Sequence, residues 1–310
     1  MPLTVLHKGK YEFGVAPSRR SLDALFGYGV ALVDKPKGPS SHEVSSFVRK
    51  MLGIKKAGHS GTLDPEVSGV LPVLLQNSCK LAPLLMGSVK EYVCVMDCAK
   101  EFSREELDAA LENFRGKIFQ TPPLASAVAK RLRVRTVYKL EILEVRGRSV
   151  LFHSRVQGGT YIRKLVEDAG RVLGAGTTMA DLRRTLAAGI AEKDCVTLQE
   201  LSDRLWLARE QGNEKPIREC VRPIEEVVKV KRVVVGDGML VPLSSGSNLA
   251  CGGVDALDWK IGAGDVVGIF TGKGELHSIA RASLGTNEIA EKKNEREMAF
   301  DVMRVVQSVK

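Results

Sequence analysis

The spacing of apolar and polar residues first predicts a buried strand followed by an amphipathic helix. Residues 30–33 form a short apolar run that is typical of a buried strand. After a segment rich in proline, glycine and serine, apolar residues recur every three or four positions, which predicts a helix capped by Ser40 or Ser41. The apolar face of this helix consists of Val44, Phe47, Val48, Met51 and Leu52.

Two capping boxes predict the starts of further helices. Ser103 lies three residues before Glu106, and Thr197 lies three residues before Glu200, so each pair can satisfy backbone groups of a first helical turn. We expect the first helix to end at Gly116 and the second to end at residues 211–213. The first helix should bury four apolar side chains, namely Leu107, Ala110, Leu111 and Phe114.

Other segments predict a mixed sheet with helices beside it. Residues 89–99 are rich in β-forming side chains. The segments 137–145 and 149–156 flank a short turn and predict a hairpin. Two helices are then expected, one from about residue 161 to 173 and one around residues 179–184.

The pattern changes after Pro223 to short β-rich pieces at 233–235, 265–271 and 276–282, separated by glycine-rich turns. This change predicts a domain boundary near Val227. We therefore expect three parts: an N-terminal arm over residues 1–28 that docks on the C-terminal domain, a main domain over 29–226, and a small C-terminal domain over 227–310.

Charge and composition indicate a globular protein with a polyanionic partner. The 310 residues are 44% hydrophobic, and 46 basic residues against 37 acidic ones give a net charge of +9. Nucleic acid is the first candidate partner, although a basic surface also keeps proteins soluble. Because the N-terminus lacks an apolar signal stretch and no long apolar run occurs, we expect no membrane association and a cytoplasmic location.

Neither metal binding nor a nucleotide cofactor is indicated. The six cysteines include no C-x-x-C pair, and the five histidines lack the spacing of metal ligands. Gly272 and Lys273 are followed by Gly274 instead of Ser or Thr, and no G-x-G-x-x-G motif opens a helix. A nucleotide-dependent α/β enzyme is therefore disfavoured, and we expect neither a metal nor a cofactor.

The most informative candidate residue is Asp64, within the segment GHSGTLDPEVSGVL at residues 58–71. Pro65 biases Asp64 toward an extended backbone, which suits a carboxylate that is held in place as a nucleophile. An Asp before Pro also initiates ordinary turns, so this segment alone leaves both interpretations open.

Several separated motifs are informative when taken together. They are DKPKGPSS at 34–41, GHSGTLDP at 58–65, GVLP at 69–72, KEY at 90–92, PPLASA at 122–127, GTYIR at 159–163 and LRRT at 182–185. Together they resemble one family, the TruB-type pseudouridine synthases, and most closely their dyskerin-like branch. The similarity extends over nearly the whole chain, since residues 227–310 resemble a PUA domain.

The resemblance implies an α+β fold: a mixed β-sheet pseudouridine synthase catalytic domain with flanking helices, plus a small β-barrel PUA domain that binds RNA. It implies that Asp64 is the nucleophile, attacking either the uracil ring or the sugar, and that Arg163 pairs with it in a site that excludes water. Tyr92 would stack on the extruded base and accept a proton from carbon, and Tyr161 and Leu182 would line the pocket.

Basic side chains near these motifs are candidates for RNA contacts. Two clusters, at residues 130–135 and 183–184, flank the expected site, although exposed Lys and Arg also protect strand edges from aggregation. The candidates are Lys35, Lys37, His59, Lys130, Arg131, Arg133 and Arg184.

The resemblance also implies partners. Because the chain lacks the long lysine-rich tails of eukaryotic relatives, we expect an archaeal-type protein. In that branch the enzyme acts on rRNA within an H/ACA guide-RNA particle, together with small Nop-type and Gar-type proteins and a kink-turn-binding ribosomal-type protein. It can also act on the tRNA T-loop at position 55.

Two alternatives remain at this stage. One is a stand-alone tRNA pseudouridine synthase that needs no guide RNA. The other is a non-catalytic RNA-binding scaffold, against which the set Asp64, Tyr92 and Arg163 argues.

Overall fold

The computed structural model describes residues 3–122 and 131–308. Its strands, in chain order, are β1 (Leu3–Val5), β2 (Gly29–Lys35), β3 (Ala57–His59), β4 (Ser68–Leu75), β5 (Lys90–Cys98), β6 (Gly116–Gln120), β7 (Arg133–Arg146), β8 (Ser149–Val156), β9 (Thr177–Ala187), β10 (Ile190–Ala191), β11 (Val221–Pro223), β12 (Lys231–Val235), β13 (Leu249–Ala250), β14 (Ala256–Asp258), β15 (Val266–Thr271), β16 (Leu276–Ala282) and β17 (Met298–Val305).

The α-helices in the same described ranges are short to medium in length, and none is both long enough and apolar enough to cross a membrane. They are α1 (Leu22–Gly27), α2 (Ser41–Leu52), α3 (Ala82–Met86), α4 (Arg104–Glu112), α5 (Ile162–Leu173), α6 (Leu198–Glu210), α7 (Lys215–Cys220), α8 (Ile224–Val227), α9 (Leu240–Ser244) and α10 (Thr286–Glu291).

The chain divides into two compact units. One contains residues 31–74 and 82–220, and is called the central unit below. The other contains residues 1–30, 75–81 and 221–310, and is called the terminal unit.

The central unit is built on a mixed sheet with the strand order β2-β4-β9-β5-β8-β7-β6. Strands β4 and β9 run parallel, whereas β5 runs antiparallel to both β9 and β8. Helices α4 and α5 contact each other and strands of this sheet. The α+β fold with a mixed sheet, expected from the sequence, is therefore confirmed.

Side-chain caps start three helices of this unit where the sequence predicts them. Ser40, Ser103 and Thr197 each accept a hydrogen bond from the backbone of the third helical residue, whose glutamate reaches back to the cap. In α2, Val44, Val48 and Leu52 are buried. Phe47, expected on the same apolar face, is 39% exposed.

One predicted element and one predicted helix end are wrong. Residues 177–187 form strand β9 instead of a helix, because they lie between β4 and β5 and pair with both. Sheet pairing outweighs the helix propensity of residues such as Leu, Met and Arg. Helix α4 ends at Glu112, and Gly116, with a φ of +84°, opens strand β6.

The terminal unit has a seven-stranded sheet in the order β1-β14-β12-β15-β16-β17-β13. The first described residues join it, since β1 pairs antiparallel with β14, and α1 lies in the segment predicted as the N-terminal arm. Inside, Arg20 is 2% exposed and donates hydrogen bonds to the carboxylates of Glu225 and Glu275. This ion group connects segments more than 200 residues apart in sequence.

Candidate active site

Asp64 lies in the loop between β3 and β4, and its neighbours fix the loop from both sides. The Ser41 hydroxyl accepts from the Leu63 N–H at 2.8 Å and donates to the Leu63 carbonyl at 2.9 Å. The Val67 N–H donates to the Asp64 carbonyl at 3.0 Å and closes the following turn. The backbone around Asp64 is thus held, and the carboxylate remains 56% exposed.

Lys35 also holds this turn, through hydrogen bonds to its backbone carbonyls. Its side chain is fully buried, and Nζ donates to the carbonyls of Pro36, Pro65 and Val67 at 2.8, 3.1 and 2.9 Å. Burial lowers the pKa of this lysine. Because all three donors are directed at carbonyls and no surface is accessible, the prediction that Lys35 contacts RNA is corrected to a structural role.

Arg184 also proves to be an interior residue. It is 1% exposed and donates from Nε to the Val70 carbonyl at 2.8 Å and from Nη2 to the Gly61 carbonyl at 3.2 Å. Strands β4 and β9 approach so closely here that a Cβ on Gly69 would lie 2.2 Å from the Arg184 carbonyl oxygen. The predicted RNA contact of Arg184 is therefore corrected as well, since a phosphate cannot reach its guanidinium.

Arg163 reaches Asp64 from the first turn of α5. Its Nη2 donates to Asp64 Oδ2 at 2.6 Å, although the two residues are 99 positions apart. The arginine side chain is 46% exposed, so the pair is open to solvent and contributes little to stability. In the chain without RNA, water reaches this pair, which differs from the expected site that excludes water. Both side chains are exposed enough for a large ligand to cover them.

A buried apolar cluster includes residues next in sequence to both members of this ion pair. Tyr92 and Leu182, which are 7% and 8% exposed, belong to one buried cluster with Leu63, Val67 and Ile162. Leu63 and Ile162 immediately precede Asp64 and Arg163 in sequence, and Val67 lies three positions after Asp64. Tyr161 is the residue that precedes α5, and it is partly buried. Of the five predicted catalytic and pocket residues, the structure thus brings Asp64 and Arg163 into direct contact and buries Tyr92 and Leu182 in one apolar cluster, while Tyr161 lies two positions before Arg163.

The remaining predicted RNA contacts differ from one another. Lys37 is half-exposed and pairs with Asp181 at 2.8 Å. His59 lies edge-on to His42 with ring centroids 4.8 Å apart, and burial together with His42 and Arg184 lowers its pKa to about 4, so the ring is neutral. A neutral ring supplies no charge to a phosphate.

The other predicted contacts lie next to the segment that is not described. Arg131 is exposed and Arg133 is partly buried at the start of β7. Lys130 and most of the motif at 122–127 lie outside the described residues.

Four residues in or near the predicted motifs make contacts that the sequence does not predict. Arg183, half-exposed, forms two hydrogen bonds to the Asp34 carboxylate at 3.1 and 2.9 Å, and these bonds raise its pKa further. Gln120 forms hydrogen bonds to the backbone of Tyr161, and the Ser41 hydroxyl forms a hydrogen bond to the backbone of Leu63. Lys90 is 5% exposed, and burial together with the nearby charge of Arg184 lowers its pKa to about 8. Successive side chains of a strand point to opposite faces of a sheet. A prediction of residues 177–187 as a strand would therefore have placed Arg183 and Arg184 on different faces.

Among the described residues, no group of three or more His, Cys, Asp or Glu side chains is arranged to hold a metal ion. The groups in direct contact at the site are the Asp64 carboxylate and the Arg163 guanidinium. This pair can support nucleophilic attack by a carboxylate that a neighbouring cation orients.

Comparison with known families accounts for almost the whole chain. The N-terminal domain of the TruB family pseudouridylate synthases matches residues 49–162, and the tRNA pseudouridylate synthase B C-terminal domain matches 163–229. The DKCLD (NUC011) domain matches residues 4–45, and the PUA domain matches 231–306.

Similar curated proteins come from archaea. The probable tRNA pseudouridine synthase B of Methanothermobacter thermautotrophicus is 45% identical over 280 residues, which cover 90% of this chain and 86% of the relative. The protein of the same name from Methanocaldococcus jannaschii is 42% identical over 296 residues, 95% of this chain and 88% of the relative.

Solved structures agree with this similarity. A chain of a Cbf5-Nop10-Gar1 complex superposes with a TM-score of 0.89 and 36% identity, covering 99% of this chain and 94% of that one. A chain of an H/ACA RNP bound to a substrate RNA containing 2'-deoxyuridine gives a TM-score of 0.88 and 35% identity at the same coverage. The chain therefore belongs to the TruB family, in its dyskerin-like branch with a C-terminal PUA domain, and is a pseudouridine synthase.

Proposed function

We propose that Asp64 is the nucleophile that converts uridine in RNA to pseudouridine. In this isomerisation the bond between N1 and the sugar carbon C1′ breaks and a bond between C5 and C1′ forms. N1 gains a proton and C5 loses one, so no oxidant or co-substrate is consumed. The observation that carries the proposal is the 2.6 Å contact between Asp64 and Arg163, made by two segments 99 residues apart.

Arg163 would aim Asp64 at the reacting nucleotide. A charge-assisted hydrogen bond from the guanidinium fixes the direction in which the carboxylate points, and the carboxylate is the nucleophile. The pair is half-exposed in the free chain, so an extruded base that covers it would also displace water and strengthen the interaction. Tyr92 would stack on that base and accept the proton from C5, and Tyr161 and Leu182 would line its pocket.

RNA would bind across the open side of this site. Lys37 is a candidate phosphate ligand, because its pair with Asp181 is half-exposed and exposed ion pairs exchange partners at small cost. Arg131 and Arg133 are further candidates at the start of β7. We further propose that residues 29–226 act as the catalytic domain, that residues 227–310 add RNA affinity through the PUA fold, and that the arm at 1–28 supports the latter.

Two kinds of substrate fit the relatives. The solved structures named above include a complex with Nop10 and Gar1 and an H/ACA RNP with substrate RNA, whereas the curated relatives are named as tRNA enzymes. We propose that this chain is the cytoplasmic catalytic subunit of an H/ACA guide-RNA particle that modifies rRNA, with Nop-type and Gar-type proteins and a kink-turn-binding protein. Modification of uridine 55 in the tRNA T-loop without a guide is the second candidate, supported by the relatives' names.

Pseudouridine mapping on two RNAs separates these functions. One is a tRNA T-loop stem, and the other is a target strand paired to an H/ACA guide. Each is incubated with the purified chain, alone and with the small proteins. Modification of the guide-paired strand that depends on the added proteins supports the particle. Modification of the T-loop RNA but not of the guide-paired strand supports the stand-alone enzyme. If neither RNA is modified, both proposals are contradicted.

A further inference from the structure

We propose that Gln120 is a positioning residue that sets where Arg163 meets Asp64, by holding the backbone of Tyr161. This inference rests on the proposed roles of Asp64 and Arg163. Gln120 is the last residue of β6 and is 3% exposed, so its amide lies in the interior of the central unit. A buried amide persists only where its donor and acceptor are both satisfied.

Both halves of the Gln120 amide are used on one residue. Nε2 donates to the Tyr161 carbonyl at 3.0 Å, and Oε1 accepts from the Tyr161 N–H at 3.0 Å. The side chain thus contacts the peptide groups on both sides of Tyr161, as a neighbouring strand would. Two simultaneous bonds fix the orientation of that backbone as well as its position.

Tyr161 is the point at which α5 begins, and its own side chain provides no cap. Helix α5 therefore begins without the Ser or Thr cap that starts α2, α4 and α6. Gln120 takes over the task of fixing this helix entry from another strand. Arg163 is the second residue of α5, so a rotation of the first turn is carried directly to its guanidinium.

The loop that leads into Tyr161 is tightly packed elsewhere. Gly158 has no room for a Cβ, which would lie 2.4 Å from the Met86 carbonyl oxygen. Gln157 accepts from the Thr136 N–H through Oε1 at 3.1 Å. A turn then follows, in which Thr160 donates to the Gln157 carbonyl from its N–H at 3.2 Å and from its hydroxyl at 2.8 Å. The Gln120 contact holds the next residue, Tyr161, at the entry to α5.

Removing the amide should therefore slow the reaction without weakening RNA binding. The Gln120→Met variant keeps the length of the side chain but loses both bonds. We expect kcat to fall about 10- to 100-fold with KM within about twofold, because small misplacements of a catalytic group cost rate more than affinity. Thermal melting and RNA titration of the same variant show whether it is folded and binds.

The Gln120→Glu variant provides a sharper test, since its neutral form copies the amide. A protonated carboxyl can donate to the Tyr161 carbonyl and accept from the Tyr161 N–H. The ionised carboxylate has no donor, so it can accept from the N–H but places a second acceptor against the carbonyl. Burial raises the pKa of a carboxyl in such a place. The rate of this variant relative to the parent should therefore rise at least about fivefold from about pH 8 to about pH 6.

Gln157→Glu is the matched control, because its contact with the Thr136 N–H needs only an acceptor. Its rate relative to the parent should be constant over the same pH range. A Gln120→Glu rate ratio that is also flat, or a Gln157→Glu ratio that rises as steeply, overturns the proposal. So does a folded Gln120→Met variant with parental kcat.

A crystal structure of Gln120→Met separates this inference from the proposed function. We expect the distance from Arg163 Nη2 to Asp64 Oδ2 to exceed hydrogen-bond range, and a distance that stays at 2.6 Å contradicts positioning by Gln120. This result does not depend on activity. If Asp64→Asn retains activity, the proposed nucleophile is wrong, whereas the measured distance still decides the role of Gln120.

Discussion

Replacement of Lys35 by Met should destabilise the central unit more than the same replacement of an exposed lysine does. The substitution keeps most of the side-chain volume but removes the ammonium group that donates to the carbonyls of Pro36, Pro65 and Val67. These carbonyls lie in the turn that follows Asp64 and in the loop after β2. Without Lys35 they lose a buried partner that water cannot easily replace.

The magnitude follows from two opposing contributions. Each hydrogen bond from a charged donor is worth about 1.5–3 kcal/mol, and an acceptor left unsatisfied in the interior costs about 1–3 kcal/mol. Against this, removal of the buried ammonium relieves a desolvation penalty of several kcal/mol. We expect a net loss of about 2–4 kcal/mol in the free energy of unfolding of the central unit.

Urea unfolding followed by tryptophan fluorescence can isolate this unit. The chain has two tryptophans, Trp206 in the central unit and Trp259 in the terminal unit, so a Trp259→Phe background reports on the central unit alone. Lys37→Met is the control, because Lys37 is half-exposed and its ion pair is worth at most about 1 kcal/mol. A Lys35→Met variant that unfolds within about 0.5 kcal/mol of the parent would refute the proposed clamp.

Three further predictions concern stability. His277 is fully buried, and burial lowers its pKa to about 4, so on acidification the unfolded chain gains a proton that the folded chain does not. The free energy of unfolding should therefore fall by about 3 kcal/mol as pH drops from 6.5 to 4. Urea unfolding should show a smaller loss in the His277→Asn variant. Ser40→Ala removes the cap of α2 and should cost about 1 kcal/mol in chemical unfolding, unlike Ser→Ala at an uncapped surface position. Arg20→Met leaves two buried carboxylates without their cation and should destabilise the terminal unit by about 3–5 kcal/mol; unchanged unfolding in a Trp206→Phe background would contradict this.

The sequence predicts the helices of this protein well where their starts are encoded locally. The capping boxes at Ser103 and Thr197 need only residues three positions apart, so the chain itself carries the signal. Strand β9 carries no such local signal. Its residues include good helix formers, and they become a strand only because β4 and β5 flank them.

The same limit applies to the site. Asp64 and Arg163 are identified because the resemblance supplies their pairing, which the structure then shows as a direct contact. The burial of Lys35 and Arg184 depends on carbonyls about 30 to 120 residues away in sequence, and no local pattern records it. Gln120 is missed for the same reason, since its partner lies 41 residues further along the chain.

The most direct test of the central claim is pseudouridine formation by Asp64→Asn on an RNA that the parent modifies. Asn keeps the size of the side chain and can still contact Arg163, but it lacks the ionised oxygen that attacks. The account predicts no detectable pseudouridine, with RNA affinity within about threefold of the parent in a salt-controlled titration. Pseudouridine formed at a rate near that of the parent would contradict the assignment of Asp64 as the nucleophile.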